Sequence, residues 1–231
     1  MRMLCGLALP TSGKARVAGY DVYRESEQIK KNIGYMSQKF SLYEDLTIRE
    51  NIRFYAGIYG KSSAFIKERT AALLTELQLE KEGDKLVKSL PLGWKQKLAF
   101  SVAVFHEPEI VFLDEPTGGV DPVSRRQFWE MIYDAANKGI TIFVTTHYMD
   151  EAERCHRLAY LAYGNLLAKG TAQEVILTQA LSTFQIKGTN LVEISKKLEV
   201  LEGIEQTVIF GSALHISGKD HRLLQNQLSS Y

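Results

Sequence analysis

The chain has 231 residues, 45% apolar and 24% charged, with a formal net charge of +1. That is the make-up of a globular protein with one large domain, or one domain and a small appendage, and its near-neutral charge gives no footing for nucleic-acid binding. Two cysteines, Cys5 and Cys155, make neither a disulfide framework nor a metal spacing and fit a reducing compartment, and no apolar run approaches the ~20 residues that span a bilayer.

Residues 1–9 read as the end of a helix stopped by Pro10 and the Thr11-Ser12-Gly13 turn. Their apolar part is too short for a signal peptide, and no cleavage site follows in register. Residues 14–22 read as a strand or hairpin bending at Gly19, and 33–38 as a strand with a polar end. Helices are predicted over 46–59, over 63–79 with Ile66, Leu73, Leu74 and Leu77 on one face, and over 94–105 with Leu98, Val102 and Phe105 inward. Ile110-Val111-Phe112-Leu113 is a buried strand. Asp121-Pro122 caps and opens a helix burying Phe128, Met131, Ile132 and Ala135 and ending at Lys138-Gly139. Residues 141–146 form a second buried strand. Asp150, Glu151 and Glu153 load the first turn of a short helix, and 158–163 with 166–169 make a hairpin around Gly164-Asn165. The last ~60 residues change character: a strand at 184–187, an amphipathic helix at 190–201 and a strand pair near 207–216 make a small α+β appendage. Strands alternating with helices before that point predict an α/β fold with a mostly parallel sheet.

The most informative stretch ends the 110–113 strand: Asp114-Glu115-Pro116. A buried strand has no structural use for two carboxylates at its tip, which reads as a strand opening into a site, although a solvated turn would also carry that sequence. There Asp114 would hold a hydrated Mg²⁺ and Glu115 would polarise a water for attack on a phosphate. Gln38 ends an earlier strand and His147 follows the Thr-rich strand. Ligands of open α/β sheets bind at such carboxyl ends.

Together these segments resemble the nucleotide-binding subunit of ATP-binding cassette transporters, in the branch that drives drug-efflux and multidrug exporters. Tyr35 to Gln38 is similar to the Q-loop, Ile110 to Pro116 to Walker B, Gly118 to Asp121 to the D-loop and Thr145 to His147 to the switch loop. The similarity runs to about Thr171. It implies a P-loop NTPase-like ATPase domain over 1–171, with a helical subdomain at about 39–107, and a C-terminal extension over 172–231. It further implies two such domains stacked head to tail around ATP and Mg²⁺, homo-paired, hetero-paired or fused. They would be held at the cytoplasmic face of the membrane by a transmembrane permease subunit. In that frame Gln38 senses Mg²⁺ and water, Asp114 binds Mg²⁺, Glu115 is the general base, and His147 holds the γ-phosphate. Gly93 and Asp121 face the ATP and subunit across the interface.

Two departures from the family pattern stand out. The sequence contains no G-x-x-x-x-G-K-[ST]; the family's loop would lie just before Met1, so the chain reads as N-terminally incomplete, of low stability and deficient in ATP binding by itself. The family's Leu-Ser-Gly-Gly-Gln signature is replaced by Leu90-Pro91-Leu92-Gly93-Trp94, in which Pro91 can donate no hydrogen bond. Trp94 reads equally as a core anchor of its helix. The rival reading is a catalytically silent module that pairs with an intact ATPase. A cassette protein of translation or DNA repair is disfavoured, because neither a basic run nor a long heptad is present.

Overall fold

Local chemistry sets most element boundaries. In the computed structural model, which describes residues 1–38 and 42–229, Ala18 and Gly19 take positive φ and close a two-residue turn between β1 (Arg16–Val17) and β2 (Tyr20–Asp21). A short helix, α1 (Ser26–Asn32), leads into β3 (Ile33–Met36). Thr47 and Glu50 form a reciprocal capping box at the start of α2 (Ile48–Ile58), and Ser62 caps α3 (Ser63–Glu76). Next come α4 (Leu92–Val104) and β4 (Ile110–Asp114). The Asp121 carboxylate then accepts from the backbone N–H groups of Val123 and Ser124, with proline in the first turn of α5 (Pro122–Asn137), which is followed by β5 (Thr141–Thr145).

The chain divides into two units, Met1–His147 and Tyr148–Tyr231. In the first, β3, β4 and β5 form a parallel sheet with β4 central. Ile33 pairs with Ile110, Met36 with Leu113, and Asp114 with Thr145. One core cluster gathers Cys5, Val17, Val22, Ile29, Ile33 and Phe112. The second unit opens with α6 (Met149–Ala152). A hairpin follows, β6 (Leu158–Ala162) and β7 (Asn165–Gly170), and then α7 (Ala172–Gln179). After it, β8 (Ser182–Lys187), α8 (Leu191–Leu198), β9 (Gln206–Phe210), β10 (Ala213–Gly218) and α9 (His221–Leu228) build an antiparallel sheet in the order β8-β10-β9. Its core is Leu198, Leu214, Ile216 and Leu224.

Several expectations are corrected. Residues 1–7 form successive turns, not a helix end: Leu4 and Cys5 bond back to the Met1 carbonyl, but Gly6 takes a φ of +68° and diverts the chain. β5 is not buried. Among the described residues it pairs only with β4, and Phe143 is 41% exposed although the strand reads as an interior one. The β6–β7 turn uses Tyr163 and Gly164, one residue earlier than Gly164-Asn165, because these two hold the positive φ values that a two-residue turn requires. Met131 is half-buried and Trp129 takes the core position. Helices α1, α7 and α9 were not expected. The start of the helical segment, at 39–41, lies outside the described residues.

Two contacts tie β3 to the helices around it. Gly34 leaves room for the Ala103 carbonyl of α4, where a Cβ would collide with it and meet Val111 Cγ2 at 3.0 Å. His106, at the end of α4, is buried; its Nε2 lies 3.2 Å from the Ile33 carbonyl and its ring stacks on Tyr59 at 3.5 Å. Burial pushes the His106 imidazole down to about 4, against the bond to Ile33.

Gly34→Ala is therefore expected to destabilise the chain by ~1–3 kcal/mol through overpacking. Gly57→Ala, in an exposed turn of α2 with open space around it, should stabilise by about 0.5–1 kcal/mol; urea unfolding of both variants checks this. The unfolded chain protonates His106 near pH 6.5 and the folded chain only near pH 4. Its contribution is thus full above pH 6.5 and falls as the pH drops towards 4, by about 3 kcal/mol at most. Unfolding measured from pH 7.5 to 4 should show this extra loss in the parent chain and not in His106→Phe.

Candidate functional site

The parallel register carries three strand ends to one side of the first unit. Gln38 lies two residues beyond β3, Asp114 ends β4 with Glu115 just after it, and His147 lies two residues beyond β5. Both flanking side chains converge on one atom. Gln38 Nε2 donates to Glu115 Oε2 at 2.8 Å, and His147 Nδ1 lies 3.3 Å from the same oxygen. The amide and the imidazole remain exposed to solvent while Glu115 is half-buried between them.

Glu115 stands in an unusual backbone state. Its φ is +46°, a left-handed conformation that costs a non-glycine residue of order 1 kcal/mol. Neighbouring bonds hold it there: its N–H donates to the Thr145 carbonyl at 3.0 Å and faces Thr145 Oγ1 at 3.3 Å, and its carbonyl accepts from Gly118 N–H at 3.2 Å. The Thr145 hydroxyl donates to Asp114 Oδ1 at 2.5 Å. Thr145 thus holds the Asp114 carboxylate and the Glu115 backbone, a role that sequence reasoning missed; the pairing of Asp114 with Thr145 across the sheet is the signal that would have found it.

A divalent ion can be tested against this arrangement. Among the described residues no cluster of three or more His, Cys, Asp or Glu side chains could cage a metal. Asp114 can offer its second carboxylate oxygen, since Thr145 is bonded to the first. One carboxylate with water and phosphate completing the shell suits Mg²⁺, which keeps most of its waters.

Gly93 and Asp121 lie together in a second place. Asp121 caps α5, and its carboxyl is held below the ordinary carboxylate range, first by the Ser124 hydroxyl and then by the Ser124 N–H. Gly93, in the first turn of α4, is buried. A Cβ there would run into Ser124 Oγ and Cβ and come within 3.8 Å of Asp121 Oδ2. Leu92 reaches the Gly118–Asp121 turn as well, since a Cβ on Gly119 would meet its Cδ2 at 3.7 Å. Gly93 therefore has a packing reason inside its own chain. Pro91 makes no side-chain cap of α4. Trp94 is half-buried and carries the Lys97 ammonium over its ring at 4.5 Å.

A parallel sheet with carboxylate, amide and imidazole gathered at its carboxyl rim has these groups where open α/β sheets bind their ligands. The family profile described as "ABC transporter" matches residues 1–118. The probable multidrug ABC transporter ATP-binding protein YbhF of Escherichia coli (strain K12) is 45% identical over 174 residues, covering 75% of this chain and 30% of that protein. The Nod factor export ATP-binding protein I of Paraburkholderia xenovorans (strain LB400) is 33% identical over 216 residues, covering 93% of this chain and 70% of that protein. A solved ATP binding subunit of an ABC transporter superposes with a TM-score of 0.69 at 30% identity, over 85% of this chain and 80% of that one. The chain thus spans about a third of the E. coli relative. It belongs to the ABC transporter family and has the α/β fold of that family's ATPases. No helix among the described residues is long and apolar enough to cross a membrane.

The packing reason for Gly93 can be separated from any nucleotide contact by a double-mutant cycle. Gly93→Ala is expected to destabilise by ~1–3 kcal/mol. In a Ser124→Gly background, which removes the colliding atoms, the same substitution should cost less by at least about 0.5 kcal/mol. Equal losses in both backgrounds would put the cause elsewhere.

Proposed function

We propose that this chain is the ATP-hydrolysing unit of an exporter of the drug-efflux type, working against a transmembrane permease subunit at the cytoplasmic face of the membrane and beside a second ATPase domain. The observation that carries this reading is the convergence of Gln38 and His147 on Glu115 Oε2. With ATP bound, Gln38 would release Glu115 Oε2, and a water taking its place on that oxygen would lose its proton to it while attacking the γ-phosphate of ATP. Asp114 would hold Mg²⁺ through water, with Thr145 fixing its rotamer. His147 would then turn from Glu115 to the transferring phosphoryl group, chemistry that is mostly positioning and charge stabilisation. Asp121, through its cap and turn, would face the opposite domain, with Gly93 beside it at the start of α4. The ATPase portion would extend to about residue 171, and 172–231 would be an added extension.

These residues serve the γ-phosphate end of ATP only. The sequence holds no glycine-lysine phosphate loop, and Pro91 removes the hydroxyl that the family's signature offers to a partner's nucleotide. The 231 residues alone are therefore proposed to bind ATP weakly. The same two features support a second reading, a silent module paired with an intact ATPase, which predicts no turnover even when a phosphate loop is supplied.

The test is a chimera with a G-x-x-x-x-G-K-T strand-and-loop segment placed ahead of Met1. It should bind ATP·Mg²⁺ and hydrolyse it, whereas the unextended chain should do neither measurably. Glu115→Gln in the chimera should lower turnover by at least ~100-fold, the scale of a general base, with ATP affinity kept. Turnover unaffected by that change would remove Glu115 from the base role. A folded, ATP-binding chimera with no turnover would favour the silent module.

A further inference from the structure

We propose that the edge of β9 is a self-pairing surface through which two copies of this chain join their C-terminal sheets, β9 lying antiparallel to β9 about a two-fold axis at Val208. The proposal goes beyond the nucleotide reading and does not depend on it.

β9 is an edge strand of the β8-β10-β9 sheet, so among the described residues no strand lies on its outer side. Its side chains fit the position of an interior strand better. Val208, Ile209 and Phe210 are apolar and 43%, 42% and 75% exposed. They alternate between the two faces: Val208 and Phe210 share the open face with His215, whose ring lies 6.1 Å from Phe210, while Ile209 is on the helix-covered face opposite Leu214. An edge that leaves apolar groups exposed on both faces is one whose sheet continues. The usual protections are missing too: β9 reads Gln206-Thr207-Val208-Ile209-Phe210, with no lysine, no proline and no charge. The opposite edge, β8, ends on Lys187.

The strand is also complementary to itself. Antiparallel pairing about Val208 sets Gln206 opposite Phe210, Thr207 opposite Ile209 and Val208 opposite Val208. The nearest charge, Glu205, falls opposite Gly211 and is already balanced by Lys219 at 3.5 Å. No charges within the strand meet, Val208 packs against its own copy at the centre, and the Glu199 carboxylate is held by the Thr207 hydroxyl at 2.8 Å on the helix-covered side. A five-residue edge buries less than the roughly 1,200 Å² of a stable complex, so this contact forms at raised concentration or alongside another interface.

The test uses the full chain without nucleotide. Val208→Cys places two thiols across the axis at a Cα separation of about 4.5–5.5 Å, which a disulfide spans. Phe210→Cys places its two copies four residues apart along the paired strands, about 13 Å, out of reach. Mild oxidation at about 100 µM is expected to give a linked dimer from Val208→Cys and only the parent chain's background from Phe210→Cys. Equal crosslinking of the two variants, or none from Val208→Cys, would overturn the proposal. Sedimentation of the parent chain and Val208→Lys, which sets two ammonium groups face to face, is the second measurement. Self-association should weaken at least ~10-fold, and an unchanged constant would equally overturn it.

Discussion

The parallel pairing of β4 with a strand on each side is the constraint on which the first unit depends. A parallel ladder has one register, and here it aligns the last residues of three strands that are far apart in the chain. Everything polar at the rim follows from that alignment. Were β5 to slip by one residue, Thr145 would leave Asp114, and His147 would no longer face Glu115 Oε2. The sheet reaches its helical cover with little tolerance: the Ala103 carbonyl of α4 sits where a side chain on Gly34 would be, and His106 bonds Ile33 from the same helix end. The register thus governs both the chemistry at one end of the sheet and the packing at the other.

Glu115 shows how the rim differs from an ordinary strand end. A left-handed glutamate is unfavourable by itself, and it persists because Thr145 and Gly118 bind its backbone on both sides. Its carboxylate leaves the direction of the strand and meets an amide and an imidazole that approach from opposite neighbours. A type I turn at Asp114-Glu115-Pro116 with glutamate in ordinary geometry would point that group elsewhere. The strain, the shared hydroxyl of Thr145 and the convergence on one oxygen are therefore one arrangement seen at three atoms.

Most of this was legible in the sequence because its signals are local. The apolar run at 110–113 ending in two acids, the Asp121-Pro122 cap and the helical faces of α3 and α5 each follow from neighbouring residues. Gln38, Glu115 and His147 were readable as strand ends, and only the parallel sheet was needed to bring them together. Thr145 escaped because its role exists only across the ladder. Gly93 was read through the family's signature, whereas its packing against Ser124 links residues 31 positions apart. α1, α7 and α9 were missed because each is short and fully buries at most one side chain, whereas α8, equally short, was legible through Leu191, Ile194 and Leu198 on one face. Burial of β5 was misjudged for a different reason: Ile142, Phe143 and Val144 state that the strand suits an interior, and composition cannot state how many neighbours it has.

That last error points to a property the two units share. β5 and β9 both carry interior-type residues on a sheet edge, but they are not equivalent. β5 is parallel to β4 and bracketed by Thr141 and Thr145, one of which is committed to Asp114, so a strand pairing on its other side must respect a register already used by the rim. β9 is antiparallel to its partner, uncharged, and committed to the rest of its unit through Thr207, whose hydroxyl bonds Ser195 and Glu199 on the helix-covered side. That bond anchors the strand without using its outer backbone. An edge held rigid from one face and left unprotected on its rim is preorganised for strand addition, which lowers the ordering entropy that pairing must overcome. In the proposed pairing Val208 meets its own copy at the centre and no charge within the strand meets another, which favours a second copy over an arbitrary strand.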